Sequence, residues 1–267
     1  MRIATYNIHG WLTIDGRPNA ALVADVLART GADVIGLNEV YHPGPLPGDG
    51  ALAWLAGRLG MAYAFGACET RPFPGTGTPD NYGNALLSRL PFTAVRTGFF
   101  RPVPGKERRG FLEARIGQVA VLVTDLDHAD EAVRLHQVDD LFAAVGDRPD
   151  VLVGDFNCVH PREYDGRPEA FARLAAHPLG GHMAYAPHGP AVAPRVERHG
   201  YADALVVRGV LGGNTFIPAE DPVRLDYVWV RADRVEGIGE VGIVEEPPGA
   251  EASDHRAVYA DVDIGGG

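Results

Sequence analysis

Ser253-Asp254-His255 sets a hydroxyl, a carboxylate and an imidazole side by side late in the chain. Three clusters of similar chemistry lie upstream: Asn7 in Thr5-Tyr6-Asn7-Ile8-His9-Gly10, Glu39 in Leu37-Asn38-Glu39-Val40, and Asp155 and Asn157 in Gly154-Asp155-Phe156-Asn157. Each upstream cluster directly follows a short apolar run that reads as a buried strand, so each is delivered to a strand end. Carboxylates, amides and an imidazole gathered in one pocket are what a hard divalent cation and a phosphate ester require. The chemistry implied is metal-assisted hydrolysis of a phosphoester.

Taken singly, every cluster has a plainer reading. Glu39 is a surface acid at a strand end, Asn7 a turn residue, and Asp155 with Asn157 an Asx-turn. Asp226, in Leu225-Asp226-Tyr227-Val228-Trp229-Val230, is a strand residue on a solvated face. Cys158 follows Asn157 with no activating pattern around it and reads as packing.

The elements that must position these residues show in the apolar periodicity. Asn19 is placed as an N-cap, Leu22, Val23, Val26 and Leu27 share a helical stripe, and Gly31 suits the stop. Residues 33–37 then read as a buried strand that ends at Glu39. A second helix carries Leu52, Leu55 and Leu59 and closes at Gly60, and 84–88 and 119–124 read as strands. Val138, Leu141, Phe142 and Val145 mark a third helix, and Val151-Leu152-Val153 feeds Asp155. Pro168 opens another helix, followed by a loop to about Tyr201. The run 225–230 alternates like a strand, with Asp226 facing away from Tyr227. Pro/Gly-rich stretches at 42–50, 71–81, 101–110, 186–194 and 246–250 read as surface loops. Loose alternation of helices and strands predicts a mixed-sheet α/β protein, and no glycine-rich dinucleotide fingerprint follows any strand.

The chain has 267 residues, 46% hydrophobic and 22% charged, as in ordinary globular proteins. No linker divides it, so one domain is expected over 1–264, with 265–267 as a flexible tail. A net charge of −11 disfavours tight non-specific binding to nucleic acid, which runs on clustered Lys and Arg. The one basic cluster on an evident loop is Lys106, Arg108 and Arg109; Arg108 or Arg109 could reach a phosphate oxygen, though either reads first as a solvated loop charge. The N-terminal residues enter a strand at once, with neither a signal-type apolar region nor a membrane span. Cys68 and Cys158 support no disulfide framework, and a reduced cytoplasmic setting is expected. Nothing in the sequence fixes an oligomeric state.

In order, and over nearly the whole chain, these motifs resemble the DNase I-like endonuclease/exonuclease/phosphatase superfamily. The resemblance implies a four-layer α/β sandwich, two mixed β-sheets packed face to face with helices on the outside. It implies Mg²⁺ or Mn²⁺, with Glu39 as principal metal ligand, Asn7 beside it and Asp254 as a second ligand. Asp155 would orient or deprotonate the attacking water, and the Asn157 amide would donate to phosphate oxygens. His255 would contact the scissile phosphate, with Asp226 accepting from its other ring nitrogen. Asn84, Thr215 and Arg109 are supporting or substrate-side candidates.

Two positions depart from the family pattern. Where the family has Thr-His-Leu, this chain has Thr124-Asp125-Leu126, and Arg134 and Gln137 keep the family's downstream spacing. An ionised Asp125 would repel a phosphate, so it recruits another cation, or His128 swings in, or the substrate differs. Asn38 stands where Gln is usual, keeping the amide and losing one methylene. The expected activity is hydrolysis of a small-molecule or lipid-borne phosphoester, favoured by the acidic composition. The alternatives are a nuclease on DNA or RNA, and a catalytically weak phosphate-ligand binding protein motivated by Asp125.

Overall fold

β1 (Arg2–Asn7) and β2 (Val34–His42) run parallel, with Ile3 opposite Val34 and Asn7 opposite Asn38. Parallel neighbours need a crossover, here α1 (Ala20–Thr30). α2 (Gly50–Leu59) leads into a long hairpin of β3 (Ala62–Pro72) and β4 (Pro79–Ser88), and β4 pairs antiparallel with β2. A meander of β5 (Phe92–Phe99), β6 (Gly110–Ile116) and β7 (Val119–Asp125) follows. α3 (Glu131–Val145) crosses from β7 to β8 (Val151–Asp155), again parallel, with Asp125 opposite Asp155. After α4 (Pro168–Ala176) and α5 (Val192–Arg198) come β9 (Tyr201–Asp203), α6 (Ala204–Val207) and β10 (Asp226–Arg231), the last antiparallel to β8. β11 (Ile238–Ile243) and β12 (Val258–Val262) return to the start, where β12 pairs with β1. The computed structural model describes residues 1–46, 48–146, 149–176, 190–219, 222–247 and 250–263. The expected tail at 265–267 lies outside the described residues.

The strands form two six-stranded mixed sheets, ordered β11-β12-β1-β2-β4-β3 and β5-β6-β7-β8-β10-β9. They face one another across a largely β-branched layer that includes Ile3, Val34, Val121, Val123, Val151, Val153, Val228 and Val258. Alternation sends the intervening residues outward. Tyr6, Ile35 and Leu37 meet Val23 and Leu27 of α1 and Leu52 and Leu55 of α2. On the far side Leu122, Leu152 and Trp229 meet Val138, Leu141 and Phe142 of α3 and Val192 and Val196 of α5. This is the expected four-layer α/β sandwich, and each fully buried large apolar side chain contributes about 1.5–3 kcal/mol. The sheets approach closely at Gly36, where an added Cβ would lie 2.4 Å from Val153 Cγ2.

Several local expectations change. Leu22 lies on the flank of the α1 stripe and is exposed. Asn19 precedes α1 but does not cap it; its Nδ2 donates to the carbonyls of Ile8 (3.0 Å), Leu12 (2.9 Å) and Ala252 (2.6 Å). The stretch 71–81 is mostly hairpin, since Pro72 and Pro79 sit at strand ends where a missing N–H is tolerated. Within the expected loop at 186–194 the described part begins helix α5, whose Pro194 falls in the first turn, where no intrahelical donor is needed. Among the described residues no helix is long and apolar enough to cross a membrane. Cys68 and Cys158 are both free and buried.

Candidate active site

Both parallel pairs end at the same edge of the sandwich, because β1 packs over β8 and β2 over β7. The carboxyl ends of parallel strands are where open α/β sheets present ligand-binding groups. Here they deliver Asn7, Asn38, Asp125 and Asp155. The backbone is bent to aim the next residues. β2 bulges so that Asn38 and Glu39 oppose the single Asn84 of β4, and Glu39 takes a left-handed φ of 59°. Asn157 (φ 48°) and His9 (φ 51°) are also left-handed, and all three line one cleft of about 330 Å³. Such conformations cost on the order of 1–3 kcal/mol each and persist where the surroundings enforce them. Gly154 is dictated by the same crowding: at φ 137°, an added Cβ would lie 1.8 Å from the Thr124 carbonyl oxygen.

Amides hold the acids in place. Asn7 Nδ2 donates to Glu39 Oε1 and Asp155 Oδ2, both at 3.1 Å, while its oxygen accepts from the His9 N–H. Asn7 therefore faces the carboxylates as a donor, not with the oxygen a metal would need. Asn38 ties the two sheets together. Its Nδ2 donates to Asn84 Oδ1 and the Thr124 carbonyl, both at 2.9 Å, and its Oδ1 accepts from the Asp155 N–H at 3.0 Å. Asn84 is buried behind the bulge and donates to the Gly110 carbonyl, so it supports the site without lining it. Asp155 Oδ1 accepts from the Asn157 N–H at 2.8 Å. Asn157 Nδ2 donates to the Leu126 carbonyl (3.0 Å) and Asp125 Oδ1 (3.3 Å), so a phosphate oxygen would have to replace the longer bond.

The C-terminal motif closes the cleft. Ser253 Oγ donates to the Asn7 carbonyl at 2.7 Å, pinning the segment to the end of β1. His255 Nδ1 lies 2.9 Å from Asp226 Oδ2, and Nε2 lies 3.6 Å from Asp155 Oδ2. Burial opposes charge on His255, but Asp226 and Asp155 outweigh it and hold its pKa well above the usual value. Burial pushes Asp155 up to about 7, against the pull of His255. Asp226 is fully buried and belongs to no solvated face. Thr215 does not reach the cleft: its Oγ1 accepts from the N–H groups of Leu225 and Asp226 and so fixes the start of β10. Its neighbour Phe216 lines the cleft, with its ring 5.2 Å from that of His255.

Asp125 does not present a bare charge. β6 and β7 pair with Phe111 opposite Thr124, so the residues just beyond, Arg109 and Asp125, meet in a buried ion pair. Arg109 is thus no solvated loop charge; it is 6% exposed and also bonds Glu107 Oε2 at 2.8 Å. Lys106 turns to Asp127 and Asp130, and Arg108 lies over Phe99, so the three do not form one basic surface. His128 is exposed and lines the cleft. Arg134 and Gln137 of α3 hold the loop after β7, through the Asp127 carbonyl and N–H respectively, both at 2.8 Å. His9, Tyr82 and Phe216 also line the cleft, as do Arg71 and Glu107, which carry no local sequence signal.

The donor set fits a hard cation. Glu39, Asp155 and Asp254 offer carboxylate oxygens to one cleft, and Glu39 and Asp254 are only half-buried. Asp155, Asp226 and His255 also bring ligand atoms within 4.8 Å of one another. In that trio the His255–Asp226 contact is a hydrogen bond, so the ring nitrogen facing Asp226 carries a proton.

The sequence profile described as the Endonuclease/Exonuclease/phosphatase family matches residues 4–255. Among solved structures, an endonuclease/exonuclease/phosphatase from Beutenbergia cavernae DSM 12333 is similar at 23% identity and a TM-score of 0.72, covering 100% of this chain and 72% of that one. An AP endonuclease from Archaeoglobus fulgidus is similar at 18% identity and 0.67, over 99% of this chain and 100% of that one. A 3′ phosphatase from Neisseria, bound to a product DNA hairpin, is similar at 17% and 0.63, over 98% and 99%. At these identities the likeness carries the fold. No curated protein matches the sequence.

Proposed function

This chain belongs to the endonuclease/exonuclease/phosphatase family, and on that footing we propose that it is a divalent-metal-dependent phosphoester hydrolase. The substrate is a small-molecule or lipid-borne phosphoester, attacked in line by water. The observation that carries the reading is the meeting of Glu39, Asp155 and the Asp226-held His255 at one cleft.

Asp155 takes the proton of the attacking water. Its two oxygens are oriented by the Asn157 N–H and by Asn7, and a pKa near 7 suits a general base at neutral pH. His255 donates from Nε2 to a phosphoryl oxygen, and Asp226 keeps it protonated and correctly turned. Glu39 and Asp254 would hold Mg²⁺ or Mn²⁺, with Asn7 as the amide that ties Glu39 to Asp155. A cation bound there would supply charge that neutralises phosphoryl and leaving-group oxygens.

A cleft of about 330 Å³ and a net charge of −11 favour a compact substrate over a nucleic acid duplex. A nuclease reading draws support from the Neisseria 3′ phosphatase, whose structure holds DNA. The test is hydrolysis of p-nitrophenyl phosphate and bis-(p-nitrophenyl) phosphate with Mg²⁺, Mn²⁺ or EDTA, with His255→Ala as control. Metal-dependent turnover absent from the variant supports the proposal; turnover in EDTA, or equal turnover in the variant, overturns it.

A further inference from the structure

The loop before β6 carries a cation that the fold takes out of solvent. Arg109 is buried, yet it lines the cleft beside Asp155, Asn157 and His255. Its guanidinium is gripped from two sides, Nη1 by Asp125 Oδ2 and Nη2 by Glu107 Oε2. The third nitrogen, Nε, is buried and has no hydrogen-bond partner among the described residues. An unpaired donor on a buried charged group is costly, and a ligand that accepts from it removes that cost.

We propose that Arg109 is a substrate-contacting residue that binds an oxygen of the substrate's phosphoryl group, and that Asp125 is a positioning residue that acts through it. The inference rests on the phosphoester reading of the cleft.

Three observations carry it. Asp125 makes the Arg109 bond with one oxygen and accepts from Asn157 with the other, so its carboxylate faces donors of this chain and not the phosphate. A carboxylate that would repel the substrate thereby becomes the brace of a guanidinium that attracts it. Secondly, stability alone gives no reason for the pair: replacing a buried ion pair by apolar residues of like size is often neutral or stabilising. Its place on the wall of the cleft does give one. Thirdly, a guanidinium keeps its charge across the working pH range and offers a planar fork that matches phosphate oxygens, which an ammonium cannot do.

Asp125 and Arg109 leave a distinctive pattern of coupling. If Asp125 acts only through Arg109, Asp125→Asn weakens the wild type but adds nothing in an Arg109→Gln background. If Asp125 met the substrate directly, the two effects would add.

The experiment titrates inorganic phosphate, with Mg²⁺ present, into the wild type, Arg109→Gln, Arg109→Lys, Asp125→Asn and the Gln/Asn double variant. Calorimetry reads affinity, p-nitrophenyl phosphate reads turnover, and thermal melting reports folding. Arg109→Gln is expected to weaken phosphate binding at least about tenfold and to lower kcat/KM by about 10²–10³. Arg109→Lys is expected to recover part of the affinity, and the double variant to match Arg109→Gln. Because a glutamine there can disturb folding, a measurement on the wild type accompanies these. The Arg109 Nε–H resonance of ¹⁵N-labelled protein, assigned with the lysine variant, shifts on saturation with phosphate. A resonance that does not move, a wild type that binds no phosphate, or a well-folded Arg109→Gln with wild-type affinity overturns the inference. Phosphate binding without hydrolysis of any ester would defeat the hydrolase reading while the arginine seat stands. Metal-dependent hydrolysis unchanged in Arg109→Gln would do the reverse.

Discussion

Asp226→Asn isolates the electrostatic part of the His255 arrangement. The substitution is isosteric, and the Asn side-chain oxygen still accepts from His255 Nδ1 at the position now 2.9 Å away. What is lost is the charge on a fully buried group that faces a buried imidazole. Burial works against the imidazolium, and Asp226 is the largest of the groups that overcome it. Two consequences separate by pH. Below about pH 6 the ring stays protonated in both proteins, and the cost is the difference between a charge-assisted and a neutral hydrogen bond, about 1.4 kcal/mol or tenfold in kcat/KM. Above it the variant imidazole, supported only by Asp155 and Asp254, loses its proton before the wild type does, and while the wild type stays protonated each pH unit removes roughly another factor of ten. At pH 8 the ratio of wild-type to variant kcat/KM is therefore about 10²–10³. Metal-dependent hydrolysis of the nitrophenyl esters from pH 5.5 to 9 measures it. A ratio that stays constant across that range would refute a role for protonated His255, even if the variant were slower throughout.

Three other outcomes follow from the geometry. Glu39→Ala removes a half-buried carboxylate at the bulge; it should abolish Mn²⁺ binding in calorimetry and lower kcat by about 10² or more, with little change in melting temperature. Gly154→Ala places a Cβ against the Thr124 carbonyl at a backbone angle reserved for glycine, and urea unfolding should show a loss of about 3 kcal/mol or more. The third concerns pH and the metal-free protein. Asp155 and His255 both have raised pKa values when folded, so the native state binds more protons than the unfolded chain and stability falls as pH rises. The Asp155 contribution declines from about 4, the ordinary carboxylate value, to about 7, and the His255 contribution declines above about 6.5. In EDTA the protein should melt higher at pH 5 than at pH 8, and the opposite order would contradict the assigned shifts.

Motif residues were legible where local pattern and chemistry coincide. Asp155 and Asn157 follow an apolar run and a glycine, and Asp254 and His255 adjoin a serine, so donor type and strand-end placement could be read without any partner. Arg109 and Asp125 were not legible in this way. A loop arginine and a strand-end aspartate are each ordinary, and only the β6–β7 register, with Phe111 opposite Thr124, brings them together. Thr215 was drawn toward the substrate by its position in a motif, whereas its hydroxyl is committed to the backbone of Leu225 and Asp226.

By itself, then, the chain determined the α/β class, the strands that end in chemistry and most of the acidic and imidazole groups at the cleft. Apolar periodicity and turn glycines are local properties, and they follow from burial and backbone sterics over a few residues. Tertiary structure alone decided which groups are paired, buried or turned away. Asn7 faces Glu39 and Asp155 as a donor, Arg109 is drawn out of solvent by Asp125 and Glu107, and Asp226 is sealed beneath His255. These outcomes depend on pairing between residues as far apart as Asn7 and Asp155, and the charge state of a side chain is set by neighbours that only the folded sheets supply.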